Sequence, residues 1–275
     1  VTIASRRRIY WGLFGAACLC LAAACALGLP LFDGKADFKA LKDSGAFQQV
    51  KVLGLGLDSA RVSAAAIIAA SLYATLCLAF ILASFRKTVS SEIFFFAFWA
   101  LSLGLEAGRL LVFSFAAAGM PMAWSVAAMR VVLGGRICGL LSFFAAGLHA
   151  AGFRNEKLGS AVAVIFVAGW ALAYAMPVDT GVYEATLALR PGFRLLGFSL
   201  AAVAALATVA NFLYASFRTG EKSYRMVSLG AGLALAGEAL LLTLWHPAFL
   251  LAGLALLILG SWLVISRLHA YYLWQ

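Results

Sequence analysis

Apolar residues run along this chain in eight long blocks separated by short polar segments. The blocks fall at 9–31, 62–85, 93–117, 122–152, 158–177, 193–217, 226–245 and 248–268. Each is close to the ~20 residues that cross a bilayer as a helix. The fourth is the longest and fits a tilted helix or one that continues into the cytoplasm. Only His246-Pro247 separates the last two, so they read as a helical hairpin in which proline fixes the start of the second helix. The pattern predicts an all-α polytopic membrane protein of eight transmembrane helices, forming one transmembrane domain over 1–275.

Composition agrees. The chain is 64% hydrophobic and 12% charged, with a mean hydropathy of +0.99. A soluble domain sits nearer ~45–50% apolar and ~25% charged. The formal net charge of +10 would suit a nucleic-acid partner, but no basic stripe interleaves with exposed aromatics. The basic residues instead flank the apolar blocks, where they set orientation. Arg6-Arg7-Arg8, Arg86-Lys87, Arg154, Lys157, Arg218, Lys222, Arg225 and Arg267 fall on one side. That side is expected to be cytoplasmic, with both termini inside, in a bacterial cytoplasmic (inner) membrane. The conflict is the 32–61 loop, whose Lys35, Lys39, Lys42, Lys51 and Arg61 are offset by Asp33, Asp37, Asp43 and Asp58.

That loop is the one sizeable polar segment. Helical spacing in Ala36–Asp43 predicts a short interfacial helix with snorkelling lysines, or a lid over an external cavity. Gln48–Leu57 reads as strand-like or irregular. At the N-terminus, the arginine triplet and the run ending at Cys25 have the look of a signal peptide. The apolar run continues through Phe32, so a retained first span is expected. Cys18, Cys20, Cys25, Cys77 and Cys138 all lie inside apolar blocks, and imply neither a disulfide framework nor a metal site.

A weak duplication adds to this picture. Between 80–110 and 212–242, an offset of 132, eleven of thirty-one positions are identical. Ala83-Ser-Phe-Arg86 matches Ala215-Ser-Phe-Arg218, and Glu106 matches Glu238. This predicts two parallel four-helix repeats, 1–152 and 153–275, related by an axis along the membrane normal.

Five charged residues lie deep inside the blocks, away from their ends: Glu106, Arg109, Arg130, Arg136 and Glu238. A charge at such depth costs ~3 kcal/mol on insertion scales, so each needs a partner, a cavity or a task. Counted from the turn near Met120, Glu106 is 14 residues down one helix and Arg136 is 16 down the next. At ~1.5 Å per residue the two are level, and Arg109 is level with Arg130. One reading is a buried salt bridge that only fixes packing, with Gly104, Gly108, Gly134, Gly135 and Gly139 letting the helices approach. The other starts from three arginines against two glutamates. The excess positive charge in low dielectric calls for an anion, which arginine holds in bidentate fashion. Arg109, Arg130, Arg136, Glu106 and Glu238 are therefore the candidate ligand-binding set; Arg194, at the outer end of the sixth block, reads as an interface anchor, or as a guide for entry.

His149, His246 and His269 lie on different helices at different depths, so no haem, metal or other cofactor is expected. Thr75, Ser102, Ser199 and Asn211 read as interhelical hydrogen bonders. No lysine in the last block could hold a retinal, and no nucleophile or metal set stands near Glu106, which argues against an enzyme. The leading expectation is a small permease or carrier for an anionic solute or lipid. The alternative is a non-catalytic subunit or receptor-like component of a larger membrane complex. Expected partners are the lipid bilayer, an anionic small molecule or lipid headgroup, and other proteins or a second copy of the chain.

Overall fold

The computed structural model describes residues 3–33, 49–52, 55–85, 90–153, 158–243 and 246–273. Among these, eight helices are long and apolar enough to cross a membrane, as expected of a multi-pass membrane protein. The first is α1 (Ile3–Gly28), extended by a 3-10 turn over Leu29–Phe32. A hairpin of β1 (Gln49–Val52) and β2 (Leu55–Asp58) then leads into α2 (Ser59–Ser84). The third span is α3 (Ser91–Gly104) and α4 (Gly108–Ala117) in series. The remainder are α5 (Met122–Ala150), α6 (Leu158–Ala175), α7 (Arg194–Thr219), α8 (Lys222–Thr243) and α9 (Pro247–Leu273). Between α6 and α7 lies a second hairpin, β3 (Val178–Tyr183) with β4 (Leu189–Pro191). The interfacial helix expected within Ala36–Asp43 lies outside the described residues.

The helix starts have local causes. The Asp58 side chain accepts from the Arg61 backbone N–H, and Ser90 accepts from that of Ile93, each satisfying a first-turn donor that has no partner within its own helix. Gly220 adopts φ +73, the left-handed conformation glycine takes without strain, and ends α7 two residues before α8 begins. Several helices run past the apolar blocks into their polar flanks. α8 begins at Lys222 rather than Met226, because backbone hydrogen bonding continues where hydropathy has already fallen.

Span three is the hub. Over its most apolar stretch 72% of residues are buried, against 11% for α7 and 17% for α6. Phe94, Phe95, Phe96 and Trp99 are sealed in the core. Phe96, Trp99, Phe143 and Phe212 form a chain of edge and tilted ring contacts from span three across α5 to α7. Of the expected interhelical hydrogen bonders, Thr75 does cross, to the Ala17 carbonyl, whereas Ser102 and Ser199 return to carbonyls of their own helices. An exposed or locally satisfied hydroxyl has no need of a neighbour.

The tightest crossing is the α8–α9 hairpin. A Cβ on Gly237 would lie 2.6 Å from the Leu257 backbone nitrogen and 2.7 Å from the Gly253 carbonyl oxygen, so the two backbones touch where only glycine fits. Gly12, by contrast, faces open space. Gly237→Ala should therefore destabilise the detergent-solubilised protein by ~1–3 kcal/mol, while Gly12→Ala changes its thermal unfolding by less than ~0.5 kcal/mol. Equal effects would contradict the packing described.

Candidate functional site

The third span changes helix type at Leu105–Ala107, a single 3-10 turn. Side chains three apart eclipse one another in such a turn. Glu106 and Arg109 are three apart, and Arg109 Nε donates to Glu106 Oε2 at 2.6 Å. On the facing helix, Gly139 packs so close that a Cβ there would collide with Ser102. This approach lets Arg136 reach the same carboxylate from α5. Its Nε donates to Oε1 at 2.5 Å and its Nη2 to Oε2 at 2.8 Å. One buried carboxylate thus accepts three charge-assisted hydrogen bonds from two arginines.

Arg109 is only 2% exposed, yet its guanidinium is well satisfied. Nη1 donates to the Thr186 carbonyl at 2.9 Å and Nη2 to the Leu242 carbonyl at 3.2 Å. Leu242 lies in the last turn of α8, where carbonyls lack intrahelical donors. Thr186 lies in the tip of the β3–β4 hairpin. That tip is inserted into the bundle. Ser63 of α2 donates to the Ala185 carbonyl, and Leu187 is fully buried against residues of α1, α2 and α4. Leu187 has φ +63, a conformation that strains a bulky residue and persists only when its surroundings fix it. Burial raises the Tyr183 phenol above its ordinary pKa, with a Ser125 hydrogen bond offsetting part of the shift, so it packs as a neutral group.

Beside this cluster lies a cavity of about 350 Å³. Arg136, Glu238, Glu184, Arg194, Thr186 and Thr243 supply its polar lining, and side chains of α5, α7 and α8 supply apolar walls. Glu106 does not reach it, being sealed behind Arg136. Glu238 Oε2 accepts from Trp99 Nε1 at 2.8 Å. Glu184 Oε2 accepts from the Thr186 hydroxyl at 3.4 Å, and its Oε1 stands 3.7 Å from Arg194 Nη1. Met176, just past the end of α6, and Ala188 and Pro191 of the β3–β4 connection complete the lining. Helices α6 and α7 both pack on α5.

The structure therefore brings together Glu106, Arg109 and Arg136, and sets Glu238 against the same cavity. It does not bring Arg130 there. Arg130 turns to α6, its guanidinium 4.5 Å from the Tyr174 ring centre and Nη1 donating to the Tyr174 carbonyl at 3.4 Å. Arg130 and Arg136 are six residues apart, a rotation of ~240° about the helix, so the two face different neighbours. The expected excess of positive charge goes with it. Arg109, Arg136 and Arg194 now stand against Glu106, Glu184 and Glu238, and the cluster is formally balanced.

Sequence reasoning missed Glu184, Thr186 and the inserted hairpin. The signal was present in Val178-Asp-Thr-Gly-Val-Tyr183, a short run of β-forming residues before a turn. It also missed Glu92, placed just outside the third block. That carboxylate is buried at the start of α3 and accepts from the hydroxyls of Ser90, Tyr272 and, more distantly, Tyr224.

Removing the shared carboxylate leaves two guanidinium ions without a counter-charge. Glu106→Gln should cost ~3–5 kcal/mol of stability in detergent-solubilised protein. Glu238→Gln keeps an acceptor for Trp99 and should cost less than ~1.5 kcal/mol by the same unfolding measurement. A milder effect at Glu106 than at Glu238 would contradict the assignment.

No protein-family model matches this chain, and comparison with curated proteins and with solved structures likewise finds no match.

Proposed function

We propose that this protein is a small membrane permease or carrier, and that it takes an amphiphile with an anionic group into the cavity beside Arg136. The observation that carries this reading is the cavity itself. It joins an arginine with exposed surface to apolar walls supplied by α5, α7 and α8. Arg136 supplies the anion contact, positioned by Glu106 and Arg109, with Arg194 at the mouth. Arg109 is too fully bonded within the protein to meet a ligand, and Arg130 lies elsewhere, so both leave the ligand-binding set. Glu238 is the second polar pole of the site.

In this reading the basic flanks are cytoplasmic, both termini are inside, and the membrane is a bacterial cytoplasmic one. The parallel-repeat reading fits the same arrangement, because it pairs Glu106 with Glu238 on either side of Arg136. The inserted hairpin roofs the cavity through Glu184 and Thr186, and Arg109 latches it through the Thr186 carbonyl.

A subunit reading draws on a different observation. Large apolar side chains such as Leu195, Val203 and Leu206 on α7 and Val164 and Val167 on α6 are exposed, and a partner protein would cover them as readily as lipid. Particle size after mild solubilisation separates the two: a stable assembly with other proteins favours the subunit, a lone chain or homodimer the carrier.

The direct test is movement of fluorescent phospholipid across reconstituted vesicles, followed by quenching of the label remaining in the outer leaflet. The wild-type protein should speed exchange. Arg136→Ala should slow it by about tenfold or more, the loss expected for a charge-assisted contact. The variant should stay folded, because Arg109 still neutralises Glu106. Unchanged exchange with Arg136→Ala, or no exchange with the wild type, would overturn the reading.

A further inference from the structure

The cavity carries unused acceptors as well as unused donors. Glu184 Oε1 is buried and has no hydrogen-bond donor. Glu238 Oε1 also accepts no hydrogen bond among the described residues, since Trp99 engages only Oε2. A carboxylate oxygen without a donor beside a largely apolar cavity is costly, and Glu238 Oε1 is the one that a ligand or water can reach. Opposite them stand two cations with donors to spare. Arg136 uses Nε and Nη2 on Glu106, which leaves Nη1 free. Arg194 lies at the mouth, 3.7 Å from Glu184 and stacked 5.4 Å from the Phe198 ring centre. Arg136 lies within electrostatic reach of both Glu238 and Glu184. A purely anionic ligand would meet Arg136 but place its charge near two carboxylates. A purely cationic one would have the reverse difficulty.

We infer that the cavity is a site for a zwitterionic lipid whose headgroup carries a primary ammonium and a phosphate. The ammonium donates to Glu238 Oε1, with the Glu184 carboxylate as a second, indirect counter-charge, and the phosphate accepts from Arg136 Nη1 and Arg194. The acyl chains lie along the apolar walls of α5, α7 and α8. This rests on the carrier reading and narrows its ligand. Three N–H donors are the discriminating feature. An ethanolamine headgroup has them, whereas a choline headgroup has the same net charge and no N–H. The apolar walls select a lipid over a free headgroup.

The test is native mass spectrometry of the full chain after reconstitution into vesicles of equimolar phosphatidylethanolamine, phosphatidylcholine and phosphatidylglycerol. The wild-type protein should retain phosphatidylethanolamine over each of the others by about tenfold, as charge-assisted hydrogen bonds imply. Glu238→Gln should bring the ethanolamine-to-choline ratio close to one without abolishing lipid retention. Glu184→Gln, outside the helical core, should lower the same ratio independently. Equal retention of phosphatidylcholine would overturn the ammonium contact. Preference for phosphatidylglycerol would overturn the zwitterion while leaving a simple anion carrier standing. Equal protection against thermal unfolding by soluble phosphoethanolamine would overturn the lipid as source. Retention of no lipid at all would remove the carrier reading with it.

Discussion

The shared carboxylate of Glu106 is the constraint on which the rest of the structure depends. Two guanidinium ions stand beside it, one fully buried and the other at the edge of the cavity, and it accepts hydrogen bonds from both. Breaking such an arrangement strands a charge in low dielectric, so the geometry around it is fixed. The 3-10 turn sets Arg109 over Glu106, and the glycines of α5 bring Arg136 within reach. Arg109 then spends its remaining bonds on the end of α8 and on the hairpin tip. One ion cluster thereby joins span three, α5, α8 and the β3–β4 connection.

Function follows from what this cluster leaves over. Arg109 is consumed by structure. Arg136 is not, and its free edge meets the cavity together with Glu238. Helices α6 and α7 are the least buried of the spans, and the charge-balanced cluster lies beside a cavity whose walls are mostly apolar. Strain at Leu187 marks the hairpin as held in place by its neighbours rather than by its own preference.

The eight spans were legible in the sequence because a bilayer demands long apolar runs, and the runs are unbroken. Their ends were less so, since helices continue into charged flanks where hydropathy gives no signal. The pairing of Glu106 with Arg136 was legible from depth, because two helices joined by a short turn keep a common count. Depth says nothing of rotation, which is why Arg130 was grouped with residues it does not face. The hairpin insertion was illegible for another reason. Its partners, Ser63, Arg109 and the α1–α2 core, are distant in sequence, and a polar loop of ordinary length carries no sign of where it folds. With the hairpin went Glu184, and with Glu184 the charge balance of the site.

The central claim is that the space between Arg136 and Glu238 holds a ligand from the membrane. An electron cryomicroscopy map of the protein in nanodiscs formed directly from cell membranes tests it most directly. The account predicts elongated density along the α5, α7 and α8 walls of the cavity, with a compact head between the Arg136 guanidinium and the Glu238 carboxylate. A cavity collapsed by direct contact of these two side chains, or filled only by discrete waters, would contradict it.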